Sequence, residues 1–134
     1  MKFTVYGLPV PKQRPRWKRI GDRIITYTPA RTAQYEEMVA WSFYEAGGKR
    51  TESAVKLKLT AFMQVPVSWS KKRRTAVTEG MERPKTRPDL DNLIKSVMDG
   101  LNGIAYNDDK QVVMIEAEKV YGNPPRVEVE ITEV

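Results

Sequence analysis

Four aspartates and a lysine are spaced so that they can act together. Asp89 and Asp91 flank a single leucine, Lys95 follows one helical turn later, and Asp108–Asp109 come as an adjacent pair shortly after. Carboxylates are hard oxygen donors, and two held close repel each other unless a cation lies between them. Mg²⁺ is bound in this way, by few carboxylates with several waters kept for substrate. A metal so held activates a water and stabilises charge developing on a phosphate. Lys95 can then position a phosphate oxygen or the attacking water. A plainer reading uses the same residues. An aspartate at a helix start is commonly a cap, Asp91 with Lys95 makes an i,i+4 ion pair worth about 0.2–0.5 kcal/mol, and Asp108–Asp109 suit a turn. Spacing alone leaves both readings open.

Composition narrows the chemistry. The 134 residues contain no cysteine and no histidine. That excludes disulfides, thiolate catalysis, imidazole bases and any metal site needing sulfur or imidazole. Oxygen ligands remain, which favour Mg²⁺, Mn²⁺ or Ca²⁺. The formal net charge of +6 points weakly to a polyanion; clustering says more. Thirteen of the 23 basic residues fall in three runs, Lys12 to Arg23, Lys71 to Arg74 and Arg83 to Arg87. Lys12, Arg14, Arg16, Lys18, Arg19, Lys71, Lys72, Arg73, Arg74 and Arg87 are the candidate phosphate contacts, with the Lys71–Arg74 run also readable as a solvated helix face. Trp17 or Trp69 can stack on an exposed base. No apolar run approaches the ~20 residues that span a bilayer, and no apolar signal core follows Met1. A cytoplasmic protein is expected, with no membrane partner.

The elements that must position these residues read in order. Lys2 to Gly7 alternates as a strand. Three prolines and five basic residues from Pro9 to Arg19 argue for a loop, and Ile24 to Tyr27 for a short return strand. Thr28–Pro29 opens a helix to about Glu45, with Thr28 as its cap; Tyr35, Met38, Val39, Trp41 and Phe43 supply its bulk, most of its aromatics being core. Ser53 to Pro66 is a long alternating strand. Ser68 or Ser70 caps a short basic helix that Gly80 ends. The acidic stretch forms a helix from about Asp89 to Leu101, with Leu90, Leu93, Ile94, Val97 and Leu101 as its apolar stripe and Asp91, Lys95 and Asp99 on a neighbouring face. Val112 to Tyr121 and Arg126 to Thr132 are strands, expected to pair as a hairpin across Gly122–Pro125. The chain is read as one α+β domain over residues 1–134, a small mixed sheet with helices packed on it.

The run Arg87-Pro88-Asp89-Leu90-Asp91-Asn92-Leu93-Ile94-Lys95, then Asp99-Gly100-Leu101-Asn102-Gly103 and Asp108-Asp109-Lys110-Gln111-Val112, resembles the RusA family of Holliday junction resolvases. Gly7 to Arg16 resembles that family's N-terminal element, so the likeness covers almost the whole chain. It implies a RusA-like fold and a phage-associated, Mg²⁺-dependent homodimer, with Mn²⁺ as a substitute. It also implies a role in DNA recombination and repair, with four-way junctions cut by paired nicks. By this resemblance Asp89, Asp91 and Asp109 are catalytic aspartates and metal ligands, with Asp108 the alternative to Asp109, and Lys95 is the catalytic lysine. Two rival functions share these residues: a junction-binding module without cleavage, and a metal-dependent nuclease for flaps or other branched DNA.

Overall fold

The computed structural model describes all of residues 1–134. Its elements are β1 (Lys2–Tyr6), β2 (Arg16–Ile20), β3 (Arg23–Tyr27), α1 (Ala30–Glu45), β4 (Val55–Met63), α2 (Lys71–Thr78), α3 (Leu90–Leu101), a 3₁₀ turn (Asp109–Gln111), β5 (Val112–Tyr121) and β6 (Arg126–Glu133). Four strands form one mixed sheet in the order β1-β6-β4-β5. β6 is antiparallel to both β1 and β4, and β4 is parallel to β5. The α+β class expected from the sequence is what the structure shows.

Strand alternation builds the core. Phe3 and Val5 of β1, Val55, Leu57, Leu59 and Ala61 of β4, and Val127, Val129 and Ile131 of β6 are all buried. They point to one face of the sheet, as a period of two requires. Tyr35, Val39 and Phe43 of α1 and Leu93, Val97 and Leu101 of α3 join them in one cluster of 17 residues. The two helices approach closely at Gly100, where an added Cβ would lie 2.9 Å from Val39 Cβ and 3.0 Å from the Glu36 carbonyl oxygen. The apolar stripe of α3 is therefore fixed against α1 as well as the sheet, and its polar face is held at a set angle.

Several expectations need correction. β5 and β6 do not form a hairpin; β4 lies between them. β5 and β6 stand about 9.6 Å apart, two strand spacings, and the loop through Gly122–Pro125 is long enough to step over the end of β4. The Gly122 amide donates to the Met63 carbonyl at 3.0 Å on the way. A Cβ at Gly122 would come within 2.4 Å of the Phe62 ring, so the crossing needs glycine. The basic loop is also more ordered than expected. Beyond Pro15 the amides are free to pair, and β2 forms an antiparallel ribbon with β3 through a two-residue turn at Gly21–Asp22. Gly21 has φ 59°, which the first position of such a turn demands. All ten residues of this ribbon are exposed. Thr28 does not cap α1, whose cap position is Pro29 with no side-chain bond. Met38 and Trp41 are exposed on α1 and are not core. Ser70, and not Ser68, caps α2 by accepting the Arg73 amide at 3.2 Å.

Candidate active site

Asp89 occupies the cap position of α3, yet its side chain accepts no capping hydrogen bond. Its carboxylate is thus exposed at the positive end of the helix dipole, where negative charge is favoured. Asp91 lies in the first turn, also exposed, and accepts only the neighbouring Asn92 amide at 3.0 Å. Neither carboxylate has an ammonium or guanidinium partner. The connector that delivers Asp89 is fastened from behind: the Lys119 ammonium of β5 donates to the Thr86 and Pro88 carbonyls at 2.7 and 2.8 Å.

Lys95 does not pair with Asp91. Its Nζ donates to Asp99 Oδ1 at 3.0 Å and lies 3.8 Å from Asp109 Oδ2. Asp99 presents its other oxygen to Lys12 Nζ at 3.1 Å, and Lys12 donates to Glu36 Oε1 at 2.6 Å. The result is a chain of alternating charge, Glu36–Lys12–Asp99–Lys95–Asp109, running from α1 across α3 to the turn before β5. Lys12 and Asp99 are largely covered, at 17% and 20% exposed, while Lys95 is 53% exposed. The Lys12 main chain is anchored as well, its amide donating to the Asn92 carbonyl at 2.8 Å. The Asp99 hydrogen bond raises the Lys95 pKa against the opposing pull of burial, and the Asp99 and Asp109 charges add to the rise. Lys95 is therefore a fixed cation, not a base.

The two members of the acidic pair differ in use. Asp108 caps the 3₁₀ turn, accepting the Lys110 amide at 2.9 Å, and that amide is the main cause of its lowered pKa. Gln111 completes a reciprocal cap, with Oε1 accepting the Asn107 and Asp108 amides at 2.7 and 3.1 Å. Its Nε2 donates to the Thr51 and Ser53 carbonyls just before β4, both at 3.0 Å. Asp109 is left facing Lys95, its own amide held by Asn102 Oδ1 at 3.1 Å. Tyr106 lies nearby, its hydroxyl donating to the Met98 carbonyl at 2.8 Å. Burial first, then the surrounding aspartates, raises its pKa, so it remains a phenol.

No three acidic side chains converge closely enough to form a ready-made metal cage. Mg²⁺ does not require one, since it is held by one or two carboxylates and keeps waters. The donor set fits: Asp89 and Asp91 offer uncommitted oxygens at a helix N-terminus, and Asp109 keeps a carboxylate not used as a cap.

The basic residues divide. Arg14, Arg16 and Lys18 project from the exposed N-terminal segment and ribbon, as does Arg19, although its Nε bonds the Gly21 carbonyl at 2.9 Å. Trp17 is 68% exposed on the same ribbon. Lys71, Lys72 and Arg87 are exposed. Lys12 is turned to Glu36 and Asp99. Arg73 forms a bidentate pair with Glu82, the closest contact 2.7 Å, and lies 3.4 Å from the centre of the Trp69 ring. Arg74 donates to the Trp69 and Pro66 carbonyls at 3.2 and 3.1 Å. These three cations are committed within the chain. Sequence reasoning missed Lys119, Gln111 and the Lys12–Asp99 link. Only the position of Lys119 in a half-buried strand and the order Asp-x-x-Gln at the turn carry any signal of them.

An acidic helix start, a lysine fixed beside it and basic segments around it are the parts of a phosphodiester-cleaving site. The class they define is a small α+β nuclease. The family described as endodeoxyribonuclease RusA matches residues 7–132. A Bacillus subtilis (strain 168) protein named uncharacterized protein YqaN is 39% identical over 140 residues, covering 100% of this chain and 96% of that one. The crossover junction endodeoxyribonuclease rusA of Lactococcus phage r1t is 29% identical over 134 residues, covering 99% and 96%. The chain belongs to the RusA endodeoxyribonuclease family, and it is an endodeoxyribonuclease. No helix is long and apolar enough to cross a membrane.

Proposed function

We propose that this nuclease resolves four-way (Holliday) DNA junctions by paired symmetric nicks, as a Mg²⁺-dependent homodimer acting inside the cell in DNA recombination. The observation that carries the reading is the juxtaposition on α3 of two uncommitted aspartates and a lysine aimed at a third. The name of the phage relative, a crossover junction endodeoxyribonuclease, supports the substrate. Asp89, Asp91 and Asp109 would hold the metal, with Mn²⁺ an acceptable substitute; the use of Asp108 Oδ1 to cap the 3₁₀ turn favours Asp109 over Asp108 as the third ligand. When bound, the metal supplies Lewis acidity and an acidified water. The chain's own groups do the rest. Lys95, held by Asp99, offers its ammonium to a non-bridging phosphate oxygen, where charge grows as the phosphodiester is cut. Arg14 and the ribbon cations Arg16, Lys18 and Arg19, together with Lys71, Lys72 and Arg87, bind backbone phosphates, so shape governs recognition. Val113, Met114 and Ile115 are exposed on the edge strand β5, an apolar run that suits a second copy, and a two-fold dimer presents two sites to one junction.

The test compares a synthetic four-way junction, a flap and a linear duplex, each with Mg²⁺ or EDTA. Paired nicks in the junction alone, dependent on Mg²⁺, are expected. Tight junction binding without cleavage in Mg²⁺ and in Mn²⁺ refutes the resolvase reading. Preferential cutting of the flap redirects it to another branched substrate. Asp91→Asn should abolish cutting while junction binding survives.

A further inference from the structure

A cleft of about 400 Å³ lies beside the acidic site, between the Pro84–Arg87 connector, the approach to α2 and the last residue of β5. Its volume is that of a small-molecule pocket, about 300–1,000 Å³, and far below what a duplex needs. Trp69 and Tyr121 line it and meet edge to face, with ring centres 5.3 Å apart. Neither belongs to the hydrophobic core. Trp69 is instead held from outside the core: the Arg73 guanidinium lies on its ring, Glu82 fixes Arg73, and Arg74 fastens the Pro66–Trp69 turn by its carbonyls. An aromatic pair and a guanidinium plane therefore front a cleft that the fold does not fill. Arg83, Lys85 and Arg87 stand exposed around it. Flat π surfaces with cations at the rim match a nucleobase and its flanking phosphates.

The cleft is also indexed to the site. Arg87 lines it and is two residues from Asp89, at most about 7 Å along the chain. Lys119 ties Thr86 and Pro88 to β5, and Tyr121 follows on that strand at i+2, hence on the same face. The cleft wall and Asp89 are thus tied to the same strand. We propose that this cleft takes one unpaired nucleobase at the branch point, next to the phosphate cut at Asp89–Asp91, and so sets where the strand is nicked. The inference rests on the junction-nuclease reading of the site.

The test places 2-aminopurine, one position at a time, at the nucleotides flanking the branch of a fixed four-way junction. Wild-type protein is added in EDTA, so that no strand is cut. One position should change its fluorescence at least about twofold on binding, as stacking on an aromatic demands. Trp69→Leu should abolish the change with junction affinity within about threefold, and Trp69→Tyr should keep it. A second arm leaves the protein untouched: an abasic site at the responding nucleotide should lower Mg²⁺-dependent cutting of the neighbouring phosphate about tenfold, and an abasic site elsewhere should not. No responding position, or a response that survives in folded Trp69→Leu, overturns the proposal. The fluorescence arm needs no cleavage, so a protein that cuts no junction refutes the junction-resolvase reading, while the fluorescence response still decides the fate of the cleft.

Discussion

Replacing Lys12 with methionine separates its two possible uses. In the fold, its ammonium satisfies Glu36 at 2.6 Å and Asp99 at 3.1 Å while only 17% exposed. Exposed ion pairs contribute about 0–1 kcal/mol, whereas breaking a buried one costs about 3–5 kcal/mol because a charge is left uncompensated. Lys12 lies between, and its carboxylates keep some access to water, so a loss of about 2 kcal/mol is expected. At roughly 4 °C per kcal/mol for a domain of this size, Tm should fall by about 8 °C. Catalysis should suffer separately. Without Lys12, Asp99 concentrates on Lys95 and draws its ammonium away from Asp109, which should slow single-turnover junction cutting about tenfold, one charge-assisted hydrogen bond's worth. A Lys12 that contacted DNA would behave otherwise: junction affinity would fall and the salt slope would shrink by about one. Thermal unfolding, single-turnover cleavage and Kd at several salt concentrations decide the matter. Unchanged Tm and rate with a reduced salt slope would refute the ion-chain account.

The same lysine sets a pH prediction. Burial pulls its pKa down, the Glu36 and Asp99 hydrogen bonds push it up, and the net shift is upward from 10.5. Its stabilisation is then complete below the unfolded value and lost as pH rises through the folded one, so stability above pH 10.5 should fall less steeply in Lys12→Met than in wild type, read by denaturant midpoints. Asp109→Asn should lower cleavage at least about 100-fold, while Asp108→Asn, which keeps a capping side chain, should stay within about threefold of wild type in the same assay. Lys119→Met should cut slowly, by about tenfold, with junction Kd unchanged, since it loses two charge-assisted bonds behind Asp89 and no DNA contact. Gly100→Ala should cost about 1–3 kcal/mol in chemical denaturation, because its Cβ meets Val39 and the Glu36 carbonyl at 2.9 and 3.0 Å.

The parts of the fold that obey a local period were readable in the sequence. β4, β6 and the apolar stripe of α3 follow their hydrophobic spacing, and their buried residues are those the spacing marks. What escaped depends on partners distant in sequence. Gly122–Pro125 looks like a hairpin turn because its composition suits one, and only the close passage of Phe62 and Met63 shows that β4 lies between the two strands. Arg16 to Ile20 looked like loop because prolines precede it, but pairing depends on the amides after Pro15, and those are free. Trp41 and Met38 share the bulk of core residues without facing the core, which residue type alone cannot reveal. At the site, the spacing of Asp89, Asp91 and Lys95 was legible. The choice of Asp99 over Asp91 as the Lys95 partner was not, because both lie four residues from it.

That choice explains why the site needs so many committed cations. On the metal-site reading proposed above, two aspartates at the start of α3 can take a metal only if no side chain neutralises them first. Lys95, one turn away, is the natural candidate to do so by pairing with Asp91. Asp99 prevents it by holding Lys95 one turn further along, and Lys12 with Glu36 keeps Asp99 from being left as a bare charge under the N-terminal segment. Arg73 and Arg74 are withdrawn in the same way, into Glu82, Trp69 and the turn before α2. The positive charge counted in the sequence thus serves two ends. Part of it stays on the exposed ribbon and on Lys71, Lys72 and Arg87, available to phosphates. Lys12, Lys95, Arg73 and Arg74 are turned inward, leaving Asp89 and Asp91 open and Trp69 held against the neighbouring cleft.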